Sequence, residues 1–189
     1  MEKKKKSGSA IFMYCVIAVT LLLSVACFVL YYANIVRHTA VLWTGVTVFT
    51  ILYQFGLRIL FGNVTKHLPI RHTQRWFREL PFERRLYGLL RIRRWKEKVL
   101  TYDPDAYNVQ KHTLCELANT MCKSEVDHWI NVIISLSTVL FGLIWGKLWI
   151  FALAAMVAIL FDAQFIVVQR YNRPVVLRCI KLRAQRGQT

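Results

Sequence analysis

The sequence predicts an all-α integral membrane protein: four transmembrane helices in two hairpins, with a basic, amphipathic helical cytosolic segment between them. Three observations carry this. Hydrophobic residues make up 56% of the 189 residues. They are gathered in blocks rather than spread at helical or strand spacing. The formal net charge is +16, and the basic residues cluster between and beside the blocks. A helix needs about 20 apolar residues to cross a bilayer, within a range of roughly 17–25.

Ala10–Tyr32 is the first block and carries no charge. Thr39–Phe61 is the second and carries only Arg58. Ile130–Trp145 is short but uncharged, and Leu148–Val168 carries only Asp162. The last two read as a hairpin broken only at Gly146-Lys147. A re-entrant hairpin is the competing reading, since spans below about 17 residues are marginal. The chain thus divides into a basic tail and first hairpin (1–61), a cytosolic interfacial segment (62–129), a second hairpin (130–168) and a basic tail (169–189), acting as one functional unit.

Charge sets orientation. Lys3 to Lys6 precede the first block, thirteen Lys and Arg lie in Gly62–Trp129, and six follow Gln169. The two opposite loops hold only Arg37 and Lys147. The positive-inside rule places both termini and the central segment of a multi-pass membrane protein in the cytoplasm. Ser24-Val25-Ala26-Cys27 loosely resembles a lipoprotein cleavage site, but the apolar run exceeds the 7–15 residues of a signal h-region. The five cysteines form no Cys-x-x-Cys pair and read as packing residues, with a catalytic thiol as the sharper alternative.

Between Arg71 and Lys98, arginines alternate with Trp76, Phe77, Leu80, Phe82, Leu86 and Trp95, and Pro81 divides the stretch. Such pieces suit interfacial helices whose apolar side chains enter the headgroup boundary while arginine stays wet. Anchoring to anionic membrane lipid is one reading of these arginines. Binding the phosphates of an acyl donor is a second. Nucleic acid, the third, is set aside because the stretch lies flush with four apolar spans.

Asp103-Pro104-Asp105 reads as turn chemistry. A helix is expected from near Ala106 to Trp129, continuing into the third span. On it His112, Glu116, Asn119, Lys123 and Asp127 share a polar face. Glu125 and His128 are three apart on the other face, so their side chains can meet. A carboxylate beside an imidazole can fix its tautomer and form an oriented base. A purely structural ion pair is the alternative. Glu-x-x-His occurs once, whereas a di-iron site needs two, so no metal site is expected. His-x4-Asp, Gly-x-Ser-x-Gly and phosphate-cradling glycine loops are absent. Asp162, an intramembrane carboxylate, needs a partner, and Arg58 is the candidate, as a site pair or a packing contact.

Three ordered blocks resemble the glycosyl-4,4'-diaponeurosporenoate acyltransferase family: Arg91-Ile92-Arg93-Arg94-Trp95-Lys96, Lys123-Ser124-Glu125-Val126-Asp127-His128-Trp129, and Val167-Val168-Gln169-Arg170-Tyr171-Asn172-Arg173-Pro174. The resemblance covers roughly Phe77 to Arg183. It departs at Lys123-Ser124, at Asp162-Ala163-Gln164 and at Val175. It implies a membrane acyltransferase of carotenoid biosynthesis. A fatty acyl chain would pass from a cytosolic thioester, acyl-CoA or acyl carrier protein, to a hydroxyl of a membrane-dissolved glycosylated carotenoid or similar glycolipid. No tightly bound cofactor is expected. Glu125 and His128 are the expected catalytic pair. Arg93, Arg94, Trp95, Lys96, Trp129, Gln169, Arg170, Tyr171, Asn172 and Arg173 are the expected substrate-binding residues. Arg170, Arg173 or Asn172 would hold the oxyanion or donor phosphates. The alternative of a different class is a non-catalytic membrane adaptor that binds anionic lipid or a protein partner through its basic face.

Overall fold

The computed structural model describes residues 8–99 and 104–187, and side chains from Phe12 onward. Every regular element among them is helical. The chain divides into two compact units, one ending at Phe61 and the other beginning at Gly62. The Lys3–Lys6 tail and Thr101–Asp103 lie outside the described residues.

The first unit is built from α1 (Gly8–Tyr32) and most of α2 (Thr39–Thr65). Both are long and apolar enough to cross a membrane. Gly45 lets the two helices close: a Cβ there would sit 3.0 Å from Cys27 Cβ. Phe28 meets Phe49 edge-on at 6.1 Å, and Val46 is buried. The buried hydroxyls need no partner helix, because Thr20 and Ser24 each donate to a carbonyl within α1. Arg58 donates to Gln54 one turn back on α2.

The second unit is organised by α5 (Leu114–Ser137) and α7 (Leu148–Gln185), which form its main helix–helix contact. A 3-10 turn, Thr138–Leu140, and α6 (Phe141–Trp145) extend α5 to the turn before α7. The helical path Leu114–Trp145 and α7 are both candidate membrane spans. α5 continues through Trp129 into the third apolar block, as expected, and α7 continues past Val168 without a break. An α-helix satisfies its own backbone, so it can run from water into hydrocarbon without interruption.

The start of α5 is set later than near Ala106. Thr113 and Glu116 form a capping box: Thr113 accepts from the Glu116 N–H, and Glu116 accepts from the Thr113 N–H. Pro104–Tyr107 is a separate 3-10 turn, and His112 falls outside the helix. At the other end the connection is two residues long. Gly146 and Lys147 both take positive φ, 76° and 54°, which reverses the chain at once. Gly142 permits the close approach that follows, since a Cβ there would lie 2.7 Å from Leu148 Cα.

The interfacial segment holds two short helices, α3 (Glu83–Leu89) and α4 (Ile92–Trp95), with 3-10 turns at Arg75–Phe77 and Lys96–Lys98. Phe77, Tyr87 and Ile92 anchor it and are buried, whereas Trp76, Phe82 and Leu89 are exposed. Asn119 on α5 accepts the His72 N–H at 2.9 Å, and Lys123 donates to the Lys66 carbonyl. These bonds fasten the start of the segment to α5.

Candidate active site

A tight two-residue turn makes α5 and α7 antiparallel neighbours, so polar residues at matching distances from the turn face each other. Three polar groupings result. The first is deepest toward the turn. His128 Nδ1 lies 2.9 Å from Asp162 Oδ1, and Asn131 donates to the same oxygen at 3.2 Å. With a carboxylate as acceptor the pair suits the tautomer that has its proton on Nδ1, which leaves the Nε2 lone pair of a neutral ring available. The imidazole stacks on Phe165 at 4.5 Å with planes 4° apart. The Asp162 side chain is 1% exposed and that of His128 is 20% exposed. One face of the pair is therefore sealed while the imidazole keeps an opening.

The second grouping is a buried ionic network. Glu125 is fully buried and uses both oxygens: Oε1 accepts from Arg170 at 2.6 Å and Oε2 from Arg173 at 2.5 Å. Arg170 also pairs with Glu83 at 2.6 Å and donates to the Arg78 carbonyl. Arg173 lies over the Phe77 ring at 5.1 Å. Tyr87 donates to the second oxygen of Glu83 at 2.8 Å. Burial, first, and the bond to the Glu83 carboxylate, second, push the Tyr87 phenol well above its ordinary range. Two carboxylates face two guanidiniums, so the network is neutral as a whole.

The third grouping lies where α7 meets the interfacial segment. Lys96 donates to Asn172 at 3.1 Å and sits over the Tyr171 ring at 5.1 Å. Tyr171 meets Tyr87 edge-on at 5.5 Å. Gln169 donates to the Tyr107 hydroxyl at 3.0 Å. Beside this grouping is an open cleft of about 700 Å³ lined by Glu79, Arg84, Tyr87, Arg91, Arg93, Arg94 and Tyr171 among others. Glu79 bonds Arg84 at 2.8 Å, and that hydrogen bond holds its carboxyl below the usual range.

Measured against the sequence expectations, the residues regroup. Glu125 and His128 were expected to pair with each other. Instead each is held by α7: Glu125 by Arg170 and Arg173, His128 by Asp162. The physical reason is charge. A carboxylate beside two permanently charged guanidiniums gains more than it would from a neutral imidazole. Arg170 and Arg173, expected to face substrate, spend their donors on Glu83 and Glu125, and Arg173 is 2% exposed. Within its own unit, Asp162 takes His128 and Asn131. Trp95 donates to the Leu90 carbonyl, and Trp129 is exposed. Sequence reasoning missed Glu83, Tyr87, Asn131 and Phe165. Glu83 was legible as one of three acids within an arginine-rich stretch, since a buried guanidinium needs a counter-charge.

The model of the family described as glycosyl-4,4'-diaponeurosporenoate acyltransferase matches residues 73–182. That span contains all three polar groupings. No curated protein and no solved structure gives a significant match.

Proposed function

The chain belongs to the glycosyl-4,4'-diaponeurosporenoate acyltransferase family, and we propose that it moves a fatty acyl chain from a cytosolic thioester to a hydroxyl of a membrane-dissolved glycosylated carotenoid or similar glycolipid. The enzyme is an acyltransferase with four helices able to span a membrane. The observation that carries the mechanism is the His128–Asp162 pair, an imidazole with one nitrogen tied to a buried carboxylate and the other free.

In this reading His128 Nε2 takes the proton of the sugar hydroxyl as its oxygen attacks the thioester carbonyl carbon. The tetrahedral intermediate collapses, the carbon–sulfur bond breaks, and the imidazolium returns the proton to the leaving thiolate. The products are an ester and a free thiol, and His128 is restored. Asp162 does not touch substrate. It holds the tautomer and stabilises the imidazolium, the work of the acid in a hydrolase triad. The sequence offers no covalent nucleophile at this place, so transfer is direct.

Placement in the bilayer fits. α7 starts at Leu148 and rises about 1.5 Å per residue, so a hydrocarbon layer about 30 Å thick ends near Val168. Asp162 then lies about 9 Å inside the cytosolic boundary, where a lipid-like acceptor can present a hydroxyl. Gln169 to Arg173 lie at that boundary. Both termini are assigned to the cytoplasm of a bacterial cell, since the basic residues gather on that side. The Glu125–Arg170–Arg173–Glu83 network is assigned a framework role: it locks α3, α5 and α7 around the site.

The test compares lipid and pigment extracts by mass, with and without the protein. A gain of one acyl mass on a glycosylated lipid supports the reaction. An unchanged extract, from membranes that contain the protein and glycosylated acceptor, refutes it. His128→Ala should abolish the gain at normal protein abundance, with partial recovery on adding free imidazole.

A further inference from the structure

The arginines of the cytosolic side fall into two sets. Arg170 and Arg173 are buried and neutralised by Glu83 and Glu125. Arg91, Arg93 and Arg94 are exposed and form no ion pair with any described residue. These three, with Arg84, line the cleft beside the α3–α4 junction, and Glu79 is the one acidic residue among its lining. Four guanidiniums face one carboxylate, which already bonds Arg84. Such a surface calls for a ligand with several negative charges, and a planar fork suits phosphate oxygens.

Two aromatic rings also line the cleft. Tyr87 and Tyr171 stand edge-to-face there, and the about 700 Å³ volume is in the range of small-molecule sites. Arg91 contributes at a local cost. It joins α3 to α4 with φ 49° and ψ 42°, a left-handed conformation that a non-glycine residue resists by roughly 1–2 kcal/mol. Strain of this sort gathers at ligand clamps.

Distance fixes what kind of anion fits. Tyr171 is nine residues beyond Asp162 on α7, and Val175, also at the cleft, is thirteen. At about 1.5 Å per residue the cleft lies about 14–20 Å along the helix from the dyad. An anion in the cleft is therefore too far away to be the reacting centre. A donor can occupy both places if a long, uncharged arm separates its phosphates from its thioester.

We infer that this cleft binds the nucleotide end of a coenzyme A thioester, its phosphates on Arg91, Arg93 and Arg94 and its base against the tyrosines, while the pantetheine arm reaches down α7 to His128. This deepens the acyl-transfer reading and rests on it. It chooses between donors: a carrier protein brings one phosphodiester and no base, and leaves both the aromatic rings and most of the charge unused. The phosphate of an anionic lipid headgroup shares the charge chemistry but not the base.

The experiment measures coenzyme A binding to the full-length protein in nanodiscs of neutral lipid, by calorimetry, with adenosine 3',5'-bisphosphate as competitor. The expected result is saturable binding, displacement by the bisphosphate, and weakening as salt is raised. The double substitution Arg93→Ala/Arg94→Ala should lower affinity at least 10-fold with an unchanged unfolding temperature. His128→Ala should bind as the parent does. Absence of coenzyme A binding, or equal binding by the double variant, overturns the inference. Loss of binding in anionic nanodiscs with no displacement by the bisphosphate overturns it in favour of a lipid headgroup. Acyl transfer from a carrier protein, without coenzyme A binding, overturns the donor while leaving the reaction standing. Coenzyme A binding with no transfer to any glycosylated acceptor would instead remove the reaction and leave the nucleotide cleft.

Discussion

Replacing Asp162 by Asn tests the carboxylate that holds His128 in the structure against Glu125, the one that the sequence placed beside it. The change is nearly isosteric and removes one charge. In the parent, Oδ1 accepts from His128 at 2.9 Å and from Asn131 at 3.2 Å, in a site where the Asp162 side chain is 1% exposed. The amide can still bond the ring, but it offers Nδ1 a donor as readily as an acceptor. The imidazole then loses its fixed tautomer, and nothing stabilises its cationic form. General-base help is worth about 10²–10⁴, which corresponds to roughly 2.7–5.4 kcal/mol of barrier. We expect Asp162→Asn to lower kcat within that range, with KM for both substrates within about threefold, since Asp162 touches neither. The assay is acyl transfer in reconstituted vesicles, followed by product mass. Glu125→Gln serves as the contrast: it should reduce the amount of folded protein, and the protein that does fold should turn over at near the parental rate. Parental kcat in Asp162→Asn, or a hundredfold lower kcat in stable, fully folded Glu125→Gln, would show that Glu125 rather than Asp162 orients the base.

Arg173→Lys keeps the charge but loses the fork that meets Glu125 and the flat face that lies over Phe77; breaking a buried pair costs about 3–5 kcal/mol, so we expect a large fall in unfolding temperature in detergent rather than a selective loss of transfer. Gly142→Ala would place a methyl 2.7 Å from Leu148 Cα, and we expect overpacking of about 1–3 kcal/mol, read as a lower unfolding temperature. The Tyr87 phenol should fail to ionise where exposed tyrosines do, near pH 10, as seen in its ultraviolet absorbance. Its pKa is higher folded than unfolded, so the stability it contributes is complete below pH 10 and is lost as alkali raises the pH through its folded value. For topology, single cysteines placed at His38 and Lys147 in a cysteine-free background should react with an impermeant reagent outside sealed cells, whereas one at Asp105 should not; labelling at Asp105 would invert the orientation.

The four apolar blocks were legible because crossing a bilayer imposes length and composition directly on sequence. The ends of the helices were less so, since a helix entering hydrocarbon has no reason to stop at the interface, and the start of α5 was decided by a capping box at Thr113-x-x-Glu116. The partner of His128 was missed for a more instructive reason. The expectation looked along one helix, where Glu125 and His128 are three apart. The tertiary pairing runs across a hairpin, and its register was already written at Gly146-Lys147. Two antiparallel helices rise equally from a two-residue turn, so a residue on α5 faces the residue equally far beyond the turn on α7. Reflection through that turn carries His128 to Phe165, on which its ring stacks, and Asn131 to Asp162, to which it donates. It carries Glu125 to within two residues of Arg170, with which it pairs. An intramembrane carboxylate reflected onto the turn of helix that bears a histidine outranks any local neighbour in the search for an oriented base. Local spacing states which side chains can meet, and the hairpin register with the stronger claim of two guanidiniums on Glu125 determines which of them do.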